Sequence, residues 1–176
     1  GVPMDEAGVC LYPFISWHDT RTEPQLKWWK EHVGLEKYAI NGNPVWPINS
    51  ALRMLWMQEH EPAIMEKTRT WLLIEDFLNY MLCGARTTDF SMASCTMFLD
   101  QNTRAWSEEI IAASGINGDI LPEPRQSGTQ IGAVTEEAAA ATGLAAGTPV
   151  ILGGHDLLTS AFAWVTLEGG DGKDRL

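Results

Sequence analysis

Positive charge is scarce in this 176-residue chain: 12 lysines and arginines stand against 23 aspartates and glutamates, a formal net charge of −11. Such an excess of acid repels phosphate backbones, which excludes nucleic acid as a partner. No apolar run approaches the ~20 residues of a membrane helix, and no basic segment followed by an apolar one opens the chain. A membrane is therefore not an expected partner, and the expected location is cytoplasmic. Cysteine is confined to Cys10, Cys83 and Cys95, without metal-type spacing. Buried thiols in a reduced compartment are the expectation. No Gly-rich phosphate-binding segment precedes a helix, and neither repeats nor low-complexity linkers break the chain.

What is present is an ordinary globular mix, 45 % hydrophobic and 20 % charged, long enough for one domain with a substantial core. Tryptophan is the exception, with eight residues. Rings that large either fill a core or stack on a ligand such as a sugar. Trp17, at a predicted strand end, and Trp46, in a loop with Pro44 and Pro47, are the two candidates for a ligand-facing ring.

Residues 4–9 read as the turn of a hairpin, and 9–12 and 14–17 as strand pieces broken by Pro13. A domain seldom begins with half of a hairpin, which predicts partner strands upstream. Thr22, Pro24 and Gln25 form a predicted capping box for a helix stopped by Gly34. Ser50 is the predicted cap of the next helix, and another is expected from Pro62. The clearest helical periodicity, Phe77, Leu78, Met81 and Leu82, ends at Gly84. Glu75 and Asp76 at its start read as dipole partners rather than as catalytic acids. Residues 87–94 read as a hydroxyl-rich structural turn, and 97–100 as a short strand. Ser107 and Thr135 cap predicted helices that end at Gly115 and Gly143, with a helix-free loop at 121–124 and a strand at 131–134. Strands mixed with helices predict a layered α/β fold.

The stretch that stands out is Gly147-Thr148-Pro149-Val150-Ile151-Leu152-Gly153-Gly154-His155-Asp156. Val150, Ile151 and Leu152 read as a short buried strand stopped by two glycines, and the small apolar residues that follow suit a packed helix. A carboxylate at such a strand end either caps the helix or faces the crevice where α/β sheets bind ligands. On this stretch alone both readings of Asp156 stand.

Trp17-His18-Asp19-Thr20-Arg21, Leu52-Arg53-Met54-Leu55-Trp56-Met57-Gln58-Glu59-His60, Asp76-Phe77-Leu78-Asn79-Tyr80-Met81-Leu82-Cys83-Gly84, Thr88-Asp89-Phe90-Ser91-Met92-Ala93-Ser94 and Gly153-Gly154-His155-Asp156 occur in this order. Together they resemble the N-terminal domain of the FGGY family of carbohydrate kinases, over about residues 8–163. The resemblance implies an incomplete ribonuclease H-like (actin-like ATPase) N-terminal domain of α/β class, a mixed sheet with flanking helices. Residues 1–165 would be part of the sugar-binding domain, 166–176 a polar tail, and the nucleotide-binding C-terminal domain absent.

The same resemblance implies that Asp156 is the catalytic base and that Trp17 lies at the substrate pocket. His155 becomes a candidate substrate donor, because Leu157 stands where many members carry a polar residue. Arg53 replaces a usual lysine, and Ile48 a small or aromatic residue. The partner would be a small-molecule sugar or polyol, and a homodimer is a possible assembly. ATP and Mg²⁺ would serve the full-length enzyme, with neither held tightly by these 176 residues. The family's Asp-x-Gly-Thr phosphate loop is not among them, so the chain alone is expected to be inactive. The alternative is a non-catalytic actin-like sugar-binding or assembly module.

Overall fold

The computed structural model describes residues 1–167. Strand β1 (Val2–Met4) pairs antiparallel with β2 (Thr70–Leu72), Val2 opposite Leu72. Strand β3 (Thr87–Asp89) pairs parallel with β6 (Glu123–Arg125). Strands β4 (Leu99–Asp100) and β5 (Ala105–Trp106) form an antiparallel pair, as do β7 (Gln130–Ala133) and β8 (Pro149–Ile151). The expected mixed α/β architecture is present, with its strands among the described residues arranged as four two-stranded ladders.

The main core lies between α1 (Glu23–His32) and α3 (Ser50–His60), closed by β2, by Met97 and Phe98, and by α7 (Glu108–Ser114). Trp29, Leu52, Met54, Met57 and Phe98 are wholly buried there. Burying each such side chain stabilises the fold by about 1.5–3 kcal/mol. A smaller cluster of Val134, Ala138 and Val150 joins β8 to α8 (Glu136–Thr142). Trp29 and Trp71 serve the core, whereas Trp17 and Trp46 are exposed.

The helix stops and two of the caps stand where the sequence puts them. Gly84, Gly115 and Gly143 close α5 (Ile74–Cys83), α7 and α8 in the left-handed conformation. Ser107 accepts from the amide of Ile110 and Thr135 from that of Ala138. Short helices α2 (Tyr38–Asn41), α4 (Pro62–Lys67) and α6 (Phe90–Cys95) fill the connections. Other readings need correction. Thr22 precedes α1, but its hydroxyl donates to the Pro47 carbonyl at 2.6 Å, so no capping box forms. Asn49, not Ser50, occupies the cap position of α3.

Residues 11–17 make no strand; the hairpin closes through a single bridge between Met4 and Cys10. Pro13 has no N–H for a ladder. Conversely, 123–125 is a strand despite Pro124, which an edge position tolerates. Strand β4 begins two residues later than expected, after Met97 takes a φ of 79°. Cys10 is exposed, and Cys83 and Cys95 are half-buried.

Helix α9 (Asp156–Leu167) follows β8 as expected. It is not closely packed, because Leu157, Leu158 and Phe162 are exposed, as is Ile151 of β8. The helix also includes residues 166 and 167, which the sequence assigned to a polar tail. The remainder of that tail, 168–176, lies outside the described residues.

Gly8 turns the hairpin at φ +84°, and a Cβ there would fall 1.8 Å from the Tyr80 hydroxyl. Gly8→Ala is expected to lower stability by about 1–2 kcal/mol, read as a fall in thermal unfolding midpoint. Gly128→Ala, with a similar φ but open space around it, should cost less.

Candidate functional site

The turn after β8 is held on both sides. The Gly128 amide donates to the Leu152 carbonyl and the Leu152 amide to the Thr129 carbonyl, each at 2.8 Å. The His155 amide then donates to the Ser91 hydroxyl oxygen at 2.8 Å, and that hydroxyl donates to Asp89. Asp89 is fully buried and caps α6, accepting from the amides of Ser91 (2.7 Å) and Met92 (3.2 Å). Gly154 must be small: a Cβ would meet Ser91 Oγ at 3.3 Å, Ser127 Oγ at 3.4 Å and Asp89 Oδ1 at 3.5 Å. Residues 87–94, read from sequence as a structural turn, therefore also seat the Gly-Gly turn.

Asp156 is the first residue of α9, and the His155 carbonyl accepts the first helical bonds, from Leu158 and Thr159. Asp156 is thus not the cap. Its side chain is 88 % exposed, with Oδ1 2.8 Å from His155 Nδ1 and accepting from the Leu157 amide.

Two cavities flank this turn. The first, of about 600 Å³, takes in Trp17, Trp46, Ile48, Arg53 and His155. The second, of about 590 Å³, takes in Asp156, Glu75, Asn79 and Gly154. Ile74, Met92 and His155 belong to the walls of both. Trp17 and His155 share the first cavity, and Asp156 stands with His155 in the second.

The wall that carries Trp17 is stiffened by a fork. Arg21 Nε and Nη2 donate to the two oxygens of Asp19 at 2.9 and 2.8 Å, and the guanidinium lies over Trp56. These bonds hold the Asp19 carboxyl down at about 2. The Trp17 ring rests on His18, with centroids 3.5 Å apart. Arg53, buried at the cavity floor, ties the two tryptophan-bearing segments together. Its Nη1 donates to the Ile15 carbonyl at 2.6 Å and its Nε to that of Ile48 at 3.2 Å. Its other terminal nitrogen is buried without a partner. The Lys-to-Arg change at this position was the available sequence signal for that role.

Glu75 and Asp76 divide the dipole reading. Asp76 fits it: fully buried, it accepts from the Leu73 amide at 3.0 Å. Burial nonetheless pushes its carboxyl up to about 7, against the pull of the bond from the Leu73 amide. Glu75 instead reaches the second cavity beside Gly153. Burial, with Asp89 and Asp76 nearby, pushes it up to about 7.

Known proteins share this arrangement of elements. The FGGY family of carbohydrate kinases, N-terminal domain, matches over residues 1–163. The L-fuculokinase of Escherichia coli strain K12 is 34 % identical over 163 residues, covering 92 % of this chain and 34 % of that protein. The xylulose kinase of Bacillus subtilis strain 168 is 34 % identical over 169 residues, covering 96 % of this chain and 34 % of that protein. The crystal structure of xylulose kinase from Rhodospirillum rubrum aligns with a TM-score of 0.86 at 31 % identity, covering 92 % of this chain and 33 % of that one.

Fold and sequence together define a carbohydrate kinase domain of the actin-like, ribonuclease H-like class. The chain belongs to the FGGY family of carbohydrate kinases, within its N-terminal domain. It spans about a third of the length of the curated relatives it matches. No helix among the described residues is long and apolar enough to cross a membrane.

A carboxyl raised by folding binds its proton more tightly in the native state, so its contribution to stability is present at low pH and fades as pH rises from about 4 to about 7. Asp76→Asn should therefore gain stability relative to wild type between pH 5 and pH 8, by on the order of 1–3 kcal/mol. Chemical denaturation of both proteins at each pH measures the difference.

Proposed function

We propose that this chain is the sugar-binding part of an ATP-dependent sugar or polyol kinase, with Asp156 as general base and Trp17 and His155 as substrate contacts. The observation that carries this reading is the placement of Asp156. Its carboxylate is exposed at the start of α9, in a cavity that shares a wall with an aromatic-lined one. A sugar stacked on Trp17 can extend past His155 and present a hydroxyl to Asp156. The carboxylate accepts that proton, which makes the hydroxyl oxygen a competent nucleophile. Positioning supplies much of the remaining rate, and a floor tied by Arg53 keeps the sugar oriented.

ATP with Mg²⁺ would supply the phosphoryl group and the counter-charge. Among the described residues no group of three His, Cys, Asp or Glu side chains is arranged to hold a metal ion by itself, and a nucleotide-bound Mg²⁺ would need only one or two carboxylates. No Gly-rich loop opens a helix in the sequence either. The proposal accordingly assigns the nucleotide to a second domain, with the protein working in the cytoplasm.

In the complete enzyme, Asp156→Ala should lower kcat by about 10²–10⁴-fold while sugar binding, followed by tryptophan fluorescence, changes little. Near-normal turnover would remove Asp156 from the role. The 176 residues alone should show no ATP-dependent phosphorylation of pentuloses, hexuloses or polyols in a coupled assay. Activity there would overturn the assignment of the nucleotide to another domain.

A further inference from the structure

Asp156 is held by hydrogen bonds rather than by packing. With its side chain 88 % exposed, no wall fixes the carboxylate, and a carboxylate free to turn is poorly placed to take a proton. The His155 side chain is firmer. It is only 34 % exposed, forms part of the walls of both cavities, and belongs to a residue whose amide is anchored on the Ser91 hydroxyl at 2.8 Å. Its Nδ1 lies 2.8 Å from Asp156 Oδ1. Two lone pairs would repel at that distance, so the neutral ring carries its proton on Nδ1 and donates it to Oδ1. The Leu157 amide lies 2.8 Å from the same Oδ1 and 3.3 Å from Nδ1. The shorter bond, to the carboxylate, is the one compatible with a proton on Nδ1. Oδ1 therefore has two donors, and among the described residues none donates to Oδ2.

We propose that His155 is a positioning residue for the base: its Nδ1–H holds Asp156 Oδ1, which leaves Oδ2 as the oxygen that takes the proton of the sugar hydroxyl. The inference rests on the kinase reading above, with Asp156 as base. In the reaction the sugar O–H bond breaks and its proton goes to Oδ2. The electron pair stays on the oxygen that attacks the phosphoryl donor, and the pair of the broken P–O bond leaves with the nucleoside diphosphate. His155 keeps its own proton throughout. What it supplies is direction, because a base displaced by about 1 Å can lose ~10²-fold in rate. The other ring nitrogen, Nε2, is left as an acceptor for a further sugar hydroxyl. The two parts played by His155, toward Asp156 and toward the sugar, thus fall on different atoms and can be separated by substitution.

The test uses the complete enzyme, with kcat and KM measured on the sugar or polyol that the wild type phosphorylates best. An Asn amide reaches the place of Nδ1, and a Gln amide that of Nε2. His155→Ala should lower kcat by about 10–10²-fold and raise KM. His155→Asn should recover most of the lost kcat but not the KM, and His155→Gln the KM but not the kcat. In an Asp156→Ala background, removing the ring should cost no further kcat, because the ring acts through that carboxylate. Three results each overturn the positioning role and leave the kinase reading standing: an unchanged kcat in His155→Ala, a kcat in His155→Asn as low as in His155→Ala, or a further loss on top of Asp156→Ala. A ring needed only for the fold would lower the Asn and Gln variants alike, which overturns it too. Near-normal turnover in Asp156→Ala itself removes the base, and this inference falls with it.

Discussion

The buried carboxylate of Asp89 is the constraint on which the site depends. A carboxylate wholly removed from water must find donors for its lone pairs, or its burial is costly. Asp89 finds them in the amides of Ser91 and Met92 and in the hydroxyls of Ser91 and Ser127. The Ser91 hydroxyl has a single proton, and spending it on Asp89 leaves its lone pairs for the His155 amide. One acceptor therefore fixes the direction of a short hydrogen-bond chain that ends at the backbone just before Asp156. Two glycines in succession would otherwise leave that backbone with many conformations.

A second buried group does the same work on the opposite side. Arg53 spends two of its nitrogens on the carbonyls of Ile15 and Ile48, which lie close in sequence to Trp17 and Trp46. Lysine has the charge but not the planar fork, and it could not reach two carbonyls in fixed directions as a guanidinium does. The aromatic wall is thus set by a charge in the core. Both tryptophans can stay exposed without the segments that carry them being loose.

What was legible in the sequence is what is decided locally. Gly84, Gly115 and Gly143 end helices because a positive φ follows directly from the missing Cβ, and Ser107 and Thr135 cap because their oxygens reach amides three residues on. The misreadings share a different cause. Thr22 has cap chemistry, but a carbonyl 25 residues away takes its hydroxyl. Helix α5 forms and stops where its periodicity puts it, but which side packs is settled by its neighbours: it buries Asp76 and Asn79 and leaves Leu78 and Met81 exposed. The site divides along the same line. Trp17, His155 and Asp156 are candidates drawn from short motifs and a family likeness, and the proposal keeps them. The positioning roles of Ser91 and Arg53 rest on bonds spanning 64 and 38 residues, which no local pattern records.

The chain's surplus of acid, which speaks against a nucleic-acid partner, also bears on the proposed reaction, which would bring a phosphate near carboxylates. At 4 Å two like charges repel by about 1 kcal/mol in water and by several times more where water is thin. Three carboxylates lie around the turn besides Asp156, and the structure handles each by a different means. Burial raises Glu75 and Asp76 to about 7, so near neutrality each spends much of its time without charge. Asp89 has its oxygens turned inward to four donors. Asp156 alone of the four keeps an 88 % exposed side chain beside an imidazole. In the proposed reaction that is the useful division: the carboxylate that must take a proton is open to the substrate, and the others are neutralised or occupied.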